Sequence, residues 1–287
     1  MSDYLDLSNI NVSTQIFLDD DVFPILKGLS PLNMRILNSA STLLHINQDV
    51  ETLHKGDYPR GLYFIRKGSV SVHKARQKED KNIAKLSQGD IFGEFAILRK
   101  KAHYASIYTL EDSEIIRVNA DAVLQVTEAD KAFKQRLQQV LSQRILNSFF
   151  FSHPIFQTLS HELRLAFSHK FQVSTVAADT VLFQQGTQPQ GLFLILSGTV
   201  EIYRKQQQTD RLLEIRRDHD VLGELAANQG KEAAYSAIAS SALDLLIVDK
   251  EAMMYIRQQH PETFKRLEIY MRKRAEHTQR ALLSVGS

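Results

Sequence analysis

The 287-residue chain contains no cysteine, which excludes disulfides and any chemistry that needs a thiolate. It has no apolar run near the ~18 residues that a membrane-spanning helix requires. The first residues, Met1 to Gln15, lack the basic-then-apolar layout of a secretory signal. A cytoplasmic location is the expectation. No Gly-x-Ser-x-Gly, phosphate-loop or His-x-x-x-His pattern occurs, and the ten histidines are scattered. Asp19-Asp20-Asp21 lies in a tail-like stretch and is not read as a metal site. No catalytic residue, metal ligand or cofactor is therefore assigned, and the chain is expected not to be an enzyme.

A large excess of either charge is also lacking, with 35 Lys/Arg against 33 Asp/Glu. The net charge of +2 is too small to imply nucleic acid. Its distribution is uneven, however. The first 21 residues carry five aspartates and no basic residue, whereas Phe264 to Leu283 holds six Lys/Arg against Glu268 and Glu276. That basic stretch could meet acidic lipid or nucleic acid, but its glutamates and its apolar stripe favour a docking or dimerising helix.

What the chain does have is length for two domains and an internal repeat. Gly56 to Val70 and Gly186 to Val200 match at seven of 15 positions at an offset of 130, where chance gives about one. The same offset, without a gap, pairs Pro24-Ile25 with Pro154-Ile155, Leu29-Ser30 with Leu159-Ser160, Gly93-Glu94 with Gly223-Glu224, and Ser106 with Ser236. Each copy opens on a short helix, over Pro31–Ser39 and His161–His169. Short strands rich in β-branched and aromatic residues follow, broken by turn signals. Leu62–Arg66 and Val70–His73 flank a tight turn at Lys67-Gly68, which Gly191 to Thr199 repeats; Gln77–Asn82 and Gln206–Asp210 read as polar hairpin tips. Many short strands predict a closed or sandwiched β-structure. Each copy ends in a helix with an apolar stripe: Phe133, Leu137, Val140, Leu141, Ile145 and Phe149, then Phe264, Leu267, Met271, Ala275, Thr278 and Leu282. No Gly/Ser linker separates the copies, so the two domains are expected to be held against each other. The expected boundaries are a tail over 1–17, for which disorder is allowed, and domains over 18–150 and 151–287.

The frame Gly-Asp-x-Pro-x-Gly-Leu-Tyr-Phe-Ile-x-x-Gly-x-Val-x-Val at Gly56 to Val72, followed by Phe92-Gly93-Glu94-Phe95-Ala96, resembles the cyclic-nucleotide-binding domain family, as found in CAP-type effectors and kinase regulatory subunits. Leu222-Gly223-Glu224-Leu225-Ala226 repeats the second element, and the resemblance covers about residues 23–120 and 153–250. It implies an α+β, β-rich fold: two tandem jelly-roll-like β-rolls, each flanked by α-helices. It also implies a binding cassette at Gly93, Glu94, Phe95, His103 and Ser106, and a second at Gly223, Glu224, Leu225 and Ser236. In the family the glutamate accepts a hydrogen bond from the ribose 2′-hydroxyl, and an arginine nine residues later holds the cyclic phosphate in a planar fork. Here His103 and Ala233 stand at the arginine position. Losing a buried charge partner costs about 3–5 kcal/mol, or roughly 10²–10³-fold or more in affinity.

Both glutamates could equally be first-turn helix residues favoured by the dipole. His103 could be a weaker phosphate partner, protonated in about a quarter of molecules at pH 7 if unperturbed, or a plain histidine. Lys101 and Lys231, seven residues after each glutamate, read better as solvated loop lysines, and the repeated glycines as turn formers. Arg216-Arg217-Asp218 does not form the Arg-Arg-x-Ser/Ala segment that a kinase regulatory subunit carries ahead of its domains. The resulting expectation is a regulatory sensor or adaptor in which cAMP or cGMP binding is weakened or lost. Its ligand would be a non-standard nucleotide, such as a cyclic dinucleotide, or a nucleoside, or none. The rival readings are a ligand-free scaffold for protein partners and a helix that associates with membrane or nucleic acid. A protein partner is expected and a homo-oligomer left open; DNA is disfavoured, because no helix-turn-helix follows the second copy.

Overall fold

In the computed structural model, the described residues are 18–73, 82–153, 155–156, 159–160, 162–164, 167, 173–206, 209–229 and 232–284. The expected tail over 1–17, most of the tip at Gln77–Asn82, and Lys231 lie outside them. The chain divides into two compact units, Met1–Leu141 and Ser142–Ser287.

The first unit opens on helix α1 (Pro31–Ser39), started by Ser30, whose hydroxyl accepts from the Asn33 N–H at 3.2 Å, with Pro31 at the first helical position. Eight strands follow: β1 (Ser41–Ile46), β2 (Glu51–Leu53), β3 (Gly61–Lys67), β4 (Ser69–His73), β5 (Asn82–Ser87), β6 (Ile91–Phe92), β7 (Ser106–Thr109) and β8 (Ser113–Asn119). They form two antiparallel four-stranded sheets, ordered β1-β8-β3-β6 and β2-β7-β4-β5. Helix α2 (Glu94–Arg99) interrupts the strands after β6, and α3 (Ala120–Ala129) and α4 (Lys131–Ser152) follow β8.

Strand β3 shows why this sequence closes into a roll. Its residues alternate between two apolar faces, so the whole run Gly61 to Ile65 is buried. Leu62 and Phe64 face a cluster built with Phe23, Leu26, Leu37, Val123, Val126, Phe133 and Leu137, the helical side of the unit. Tyr63 and Ile65 face the opposite cluster with Val70, Val72, Leu86, Phe92, Ile107 and Ile115, inside the roll. A strand apolar on both faces must be covered on both, and the roll with its helices does this.

The second unit repeats the topology. Strands β9 (Val173–Val176), β10 (Val181–Phe183), β11 (Leu192–Ser197), β12 (Val200–Gln206), β13 (Thr209–Arg216), β14 (Val221–Leu222), β15 (Ser236–Ala239) and β16 (Leu243–Val248) form sheets ordered β9-β16-β11-β14 and β10-β15-β12-β13. Helix α5 (Glu224–Gln229) takes the place of α2, and α6 (Lys250–Gln259) and α7 (Pro261–Ser284) close the unit. The tip expected over Gln206–Asp210 is a hairpin whose strand ends pair Gln206 with Thr209. Within the predicted opening helix over 161–169, the described residues 162–164 and 167 are helical.

Backbone conformation repeats with the same offset. Positive φ recurs at Asp49 and Asp179, Gly56 and Gly186, Gly68 and Gly198, Gly89 and His219, and Gly93 and Gly223. The Gly56 and Gly186 turns are equivalent: Gly56 N–H donates to the His103 carbonyl at 2.9 Å, and Gly186 N–H to the Ala233 carbonyl at 2.8 Å. Both predicted helical stripes are buried, apart from Val140 and Phe264, which are half-buried. Phe133 and Leu137 of α4 join the first unit's core, while Ala275 and Leu282 of α7 join the core cluster of the second. The basic C-terminal helix is therefore docked on its own β-roll, with Lys265, Arg266, Arg272, Lys273 and Arg280 left exposed on its outer side. Among the described residues, no helix is long and apolar enough to cross a membrane.

Candidate functional site

The first cassette is built where β6 turns into α2. Gly93 caps that helix at φ 92°, and a Cβ there would lie 2.9 Å from the Gly61 carbonyl oxygen and 3.2 Å from the Tyr63 ring. Only glycine fits the conformation and the close approach together. Tyr63 in turn stacks on Phe92, with centroids 4.9 Å apart. Glu94 then opens α2 from a buried position, and Phe95 lies half-buried against Tyr104 at 4.6 Å. The helix has six residues and ends at Lys100 in the left-handed region, φ 50°.

The return path carries the arginine-position residue. His103 donates its N–H to the Asp57 carbonyl at 2.8 Å while its own carbonyl accepts from Gly56, so it is pinned to the glycine-framed turn. Its side chain is only 6% exposed, and the buried Nε2 has no hydrogen-bond partner among the described residues. Burial pushes the imidazole below its ordinary value, against the pull of Asp57 and Glu94. The quarter protonation expected of a free histidine is thus an upper bound at pH 7, and the neutral ring is the favoured form. Lys101 is exposed, as expected for a loop lysine. Ser106, buried on β7, accepts from the Lys55 N–H at 3.0 Å.

The second cassette keeps this backbone and fills it differently. Gly223 has φ 77°, and a Cβ there would lie 2.8 Å from the Gly191 carbonyl oxygen. Ala233, at the arginine position, donates its N–H to the Thr187 carbonyl at 2.8 Å, the counterpart of the His103 bond. Ser236 accepts from the Gln185 N–H at 3.0 Å, as Ser106 does from Lys55. Leu225 is buried in the core cluster. Glu224 is 0% exposed and engaged by three side chains of its own chain. Its Oε1 accepts from the Thr278 hydroxyl of α7 at 2.5 Å and from the Arg216 guanidinium at 3.3 Å. Its Oε2 accepts from the Tyr235 hydroxyl at 2.9 Å, which itself accepts from the Gly223 N–H at 3.1 Å.

Arg216, also 0% exposed, donates further to the Val221 carbonyl and approaches Glu214 at 3.4 Å. Burial disfavours its charge, but the Glu224 carboxylate, Tyr235 and Glu214 more than offset this and hold the guanidinium above its ordinary value. Burial, then the Glu224 carboxylate, push the Tyr235 phenol up. Arg274 of α7 adds ion pairs to Asp220 at 2.8 Å and to Glu214 at 3.3 Å.

Arg216, Tyr235 and Thr278 are the residues that reading motifs missed. A signal for the first was present. The repeat equates Arg216 with Leu86, and an arginine on a position that the other copy makes apolar requires a buried acid. Tyr235 stands where the first copy has Ala105. Thr278 lies on the terminal helix that the offset pairs with α4, Pro261 with Lys131, and Ser148 stands at its position there.

A family model described as the cyclic nucleotide-binding domain matches residues 44–130 and 173–260, more than half of the chain. A cGMP-dependent protein kinase, isozyme 1, of Drosophila melanogaster is 28% identical over 221 residues, covering 72% of this chain and 28% of that protein. A cAMP-dependent protein kinase type II regulatory subunit of the same fly is 33% identical over 87 residues, covering 30% of this chain and 22% of the relative. The chain thus spans between a fifth and a third of the length of these relatives. Among solved structures, the regulatory domain of Toxoplasma gondii PKA with cAMP has TM-score 0.39 at 16% identity, covering 88% of this chain and 92% of the other. The regulatory subunit of a cAMP-independent protein kinase A from Trypanosoma cruzi bound to guanosine has TM-score 0.41 at 13% identity, covering 96% and 98%. With the glycine frame and the Gly-Glu helix start repeated in both units, and the family model matching each, the chain belongs to the cyclic nucleotide-binding domain family and carries the domain twice.

Proposed function

We propose that this chain is a non-catalytic regulatory module whose first cassette takes a nucleotide-class ligand, with cAMP and cGMP held weakly for want of an arginine. The observation that supports this is the state of His103. A buried imidazole whose Nε2 has no partner among the described residues is a group that a ligand can satisfy, since an unmet buried polar atom costs about 1–3 kcal/mol. Being uncharged, it offers a hydrogen bond and no cation, which favours ligands that do not place a phosphate charge beside it. Nucleosides and non-standard nucleotides, cyclic dinucleotides included, fit that requirement better than a simple cyclic phosphate. Glu94 supplies the acceptor for a ribose hydroxyl, and Gly93 the close backbone. The kinase and kinase-regulatory names of the curated relatives support a signalling role with a protein partner.

Calorimetry tests this with cAMP, cGMP, adenosine, guanosine and cyclic di-GMP on the full chain and on Glu94→Ala. The expected result is measurable binding of at least one ligand, lost in Glu94→Ala, with cAMP and cGMP the weaker. Submicromolar cAMP binding would refute the claim of weakened phosphate binding. Absence of binding across the panel would favour the ligand-free scaffold, a reading that the fully engaged Glu224 already favours for the second unit.

A further inference from the structure

We infer that the second cassette is already occupied by its own chain: Arg216 takes an external ligand's place against Glu224, and Thr278 makes that occupancy the latch of α7. Glu224 is fully enclosed by groups of its own chain. Its two oxygens receive Arg216 from β13, Thr278 from α7 and Tyr235 from the loop before β15, three elements converging on one buried carboxylate. Because Glu224 is 0% exposed behind these groups, a ribose hydroxyl could reach it only by displacing one of them. Displacing Tyr235 also strips the Gly223 N–H of its acceptor. Displacing Thr278 breaks the direct link to α7, and displacing Arg216 removes the guanidinium that lies 2.5 Å from the same hydroxyl. Occupancy of Glu224 from outside therefore costs either the Thr278 contact that seats α7 or the Tyr235 hydroxyl that holds the Gly223 N–H.

At the positions of Arg216 and Tyr235 the first unit carries different residues, and the difference is written in the sequence. Leu86 stands where Arg216 stands, and Ala105 where Tyr235 stands. Leu86 is part of the core inside the roll and has nothing to offer a carboxylate. Beside its buried apolar stripe, α7 makes flanking polar contacts as well. Arg274 pairs with Asp220 and Glu214, Tyr270 O–H donates to the His219 carbonyl at 2.8 Å, and Arg204 donates to the Leu282 carbonyl at 2.5 Å. Removing the central contact should loosen the helix before it melts the β-roll.

Hydrogen exchange on the full chain tests the latch, with Arg216→Leu and the milder Thr278→Val. Both variants are expected to speed exchange of the amides over 274–283 by tenfold or more, with β11 and β16 little changed. Unchanged exchange of α7 in both variants would overturn the inference. So would acceleration spread evenly over the second unit, which would make the network a core support and no latch. Should Arg216→Leu fail to fold, Thr278→Val still decides. Occupancy is tested in a Glu94→Ala background, which leaves the second cassette as the remaining site for cAMP or adenosine. Absence of binding there is the expected result, and binding of either at micromolar affinity would overturn it. The proposed function is read on the unsubstituted chain, so its failure would leave this outcome standing.

Discussion

Arg216 and Leu86 occupy one position of the same strand in the two units, Arg216 opposite Val200 and Leu86 opposite Val70 in matching registers. One copy solves that buried site with apolar packing and the other with an ion pair to Glu224. Breaking a buried pair strands its partner's charge, which typically costs about 3–5 kcal/mol, whereas replacing both members by apolar groups of similar volume is often neutral. Arg216→Ala should therefore ease the opening of α7 by about 3–5 kcal/mol, and Arg216→Met combined with Glu224→Leu should recover most of the loss. Hydrogen exchange of the α7 amides gives both numbers. A single-variant cost below about 1 kcal/mol would mean that water or another group replaces the guanidinium.

Gly93 and Gly56 separate two effects that are usually mixed. Both have positive φ, but a Cβ at Gly56 meets nothing within 4 Å, whereas at Gly93 it meets the Gly61 carbonyl oxygen at 2.9 Å. Gly56→Ala should cost only the left-handed penalty, about 1–2 kcal/mol. Gly93→Ala adds a collision with backbone that cannot swing away, and should cost at least about 1 kcal/mol more. Chemical denaturation of the two variants reads the difference directly. Equal costs would show that β3 or α2 gives way freely at this point.

Acid should act first on the second unit. His153 is fully buried, its ring 5.8 Å from His219 and 5.2 Å from Tyr270, and its backbone-facing Nε2 lies 3.3 Å from the His219 carbonyl. Burial, then the charge of the neighbouring His219, lowers its pKa to about 4. The unfolded chain takes up this proton near the ordinary value of about 6.5, before the folded chain does. Stability contributed by the neutral ring is thus complete above about pH 6.5 and falls as pH drops toward 4. The full loss is on the order of 3 kcal/mol, from 1.36 kcal/mol per unit. Thermal unfolding between pH 7 and 4.5 checks it, with His153→Gln expected to flatten the profile. An unchanged slope in that variant would place the acid sensitivity elsewhere.

Much of this architecture was legible because the chain contains it twice. One offset placed the strands, the turns and the Gly-Glu helix start, and the structure keeps that offset in its topology and its positive φ positions. The helical stripes were equally plain, since apolar residues at helical spacing have few other uses. Less was legible where the copies differ. At Arg216, Tyr235 and Thr278 the residue types announce buried polarity, but their meeting at Glu224 depends on the packing of α7, which repeat spacing cannot reveal. His219 is similar. Its positive φ matches Gly89 in the other copy, yet its ring stacks on Phe149 at 5.6 Å and its Nε2 lies 2.6 Å from the Ser152 hydroxyl, contacts that a glycine there would forgo.

Phosphate recognition in the first cassette turns on the residue at position 103. His103 lies at the arginine position, held by the Gly56-Asp57 turn, so a longer cationic side chain there would start from the backbone geometry the cassette uses. His103→Arg adds a permanent charge with a planar fork, and a hydrogen bond to a charged group contributes about 1.5–3 kcal/mol. Affinity for cAMP or cGMP should therefore rise by about tenfold or more, with nucleoside binding unchanged or weaker. The wild-type chain should show the same chemistry through pH. Because burial holds the His103 pKa below its ordinary value, its charge appears only as pH falls below about 6.5. Cyclic nucleotide binding should thus strengthen from pH 7 to 5.5, while adenosine binding stays level and His103→Ala abolishes the slope. Isothermal calorimetry across that range, kept above the acid unfolding of the second unit, settles the matter. Micromolar cAMP binding that ignores both pH and His103→Ala would assign the phosphate to other residues, and the arginine position would then be irrelevant to this cassette.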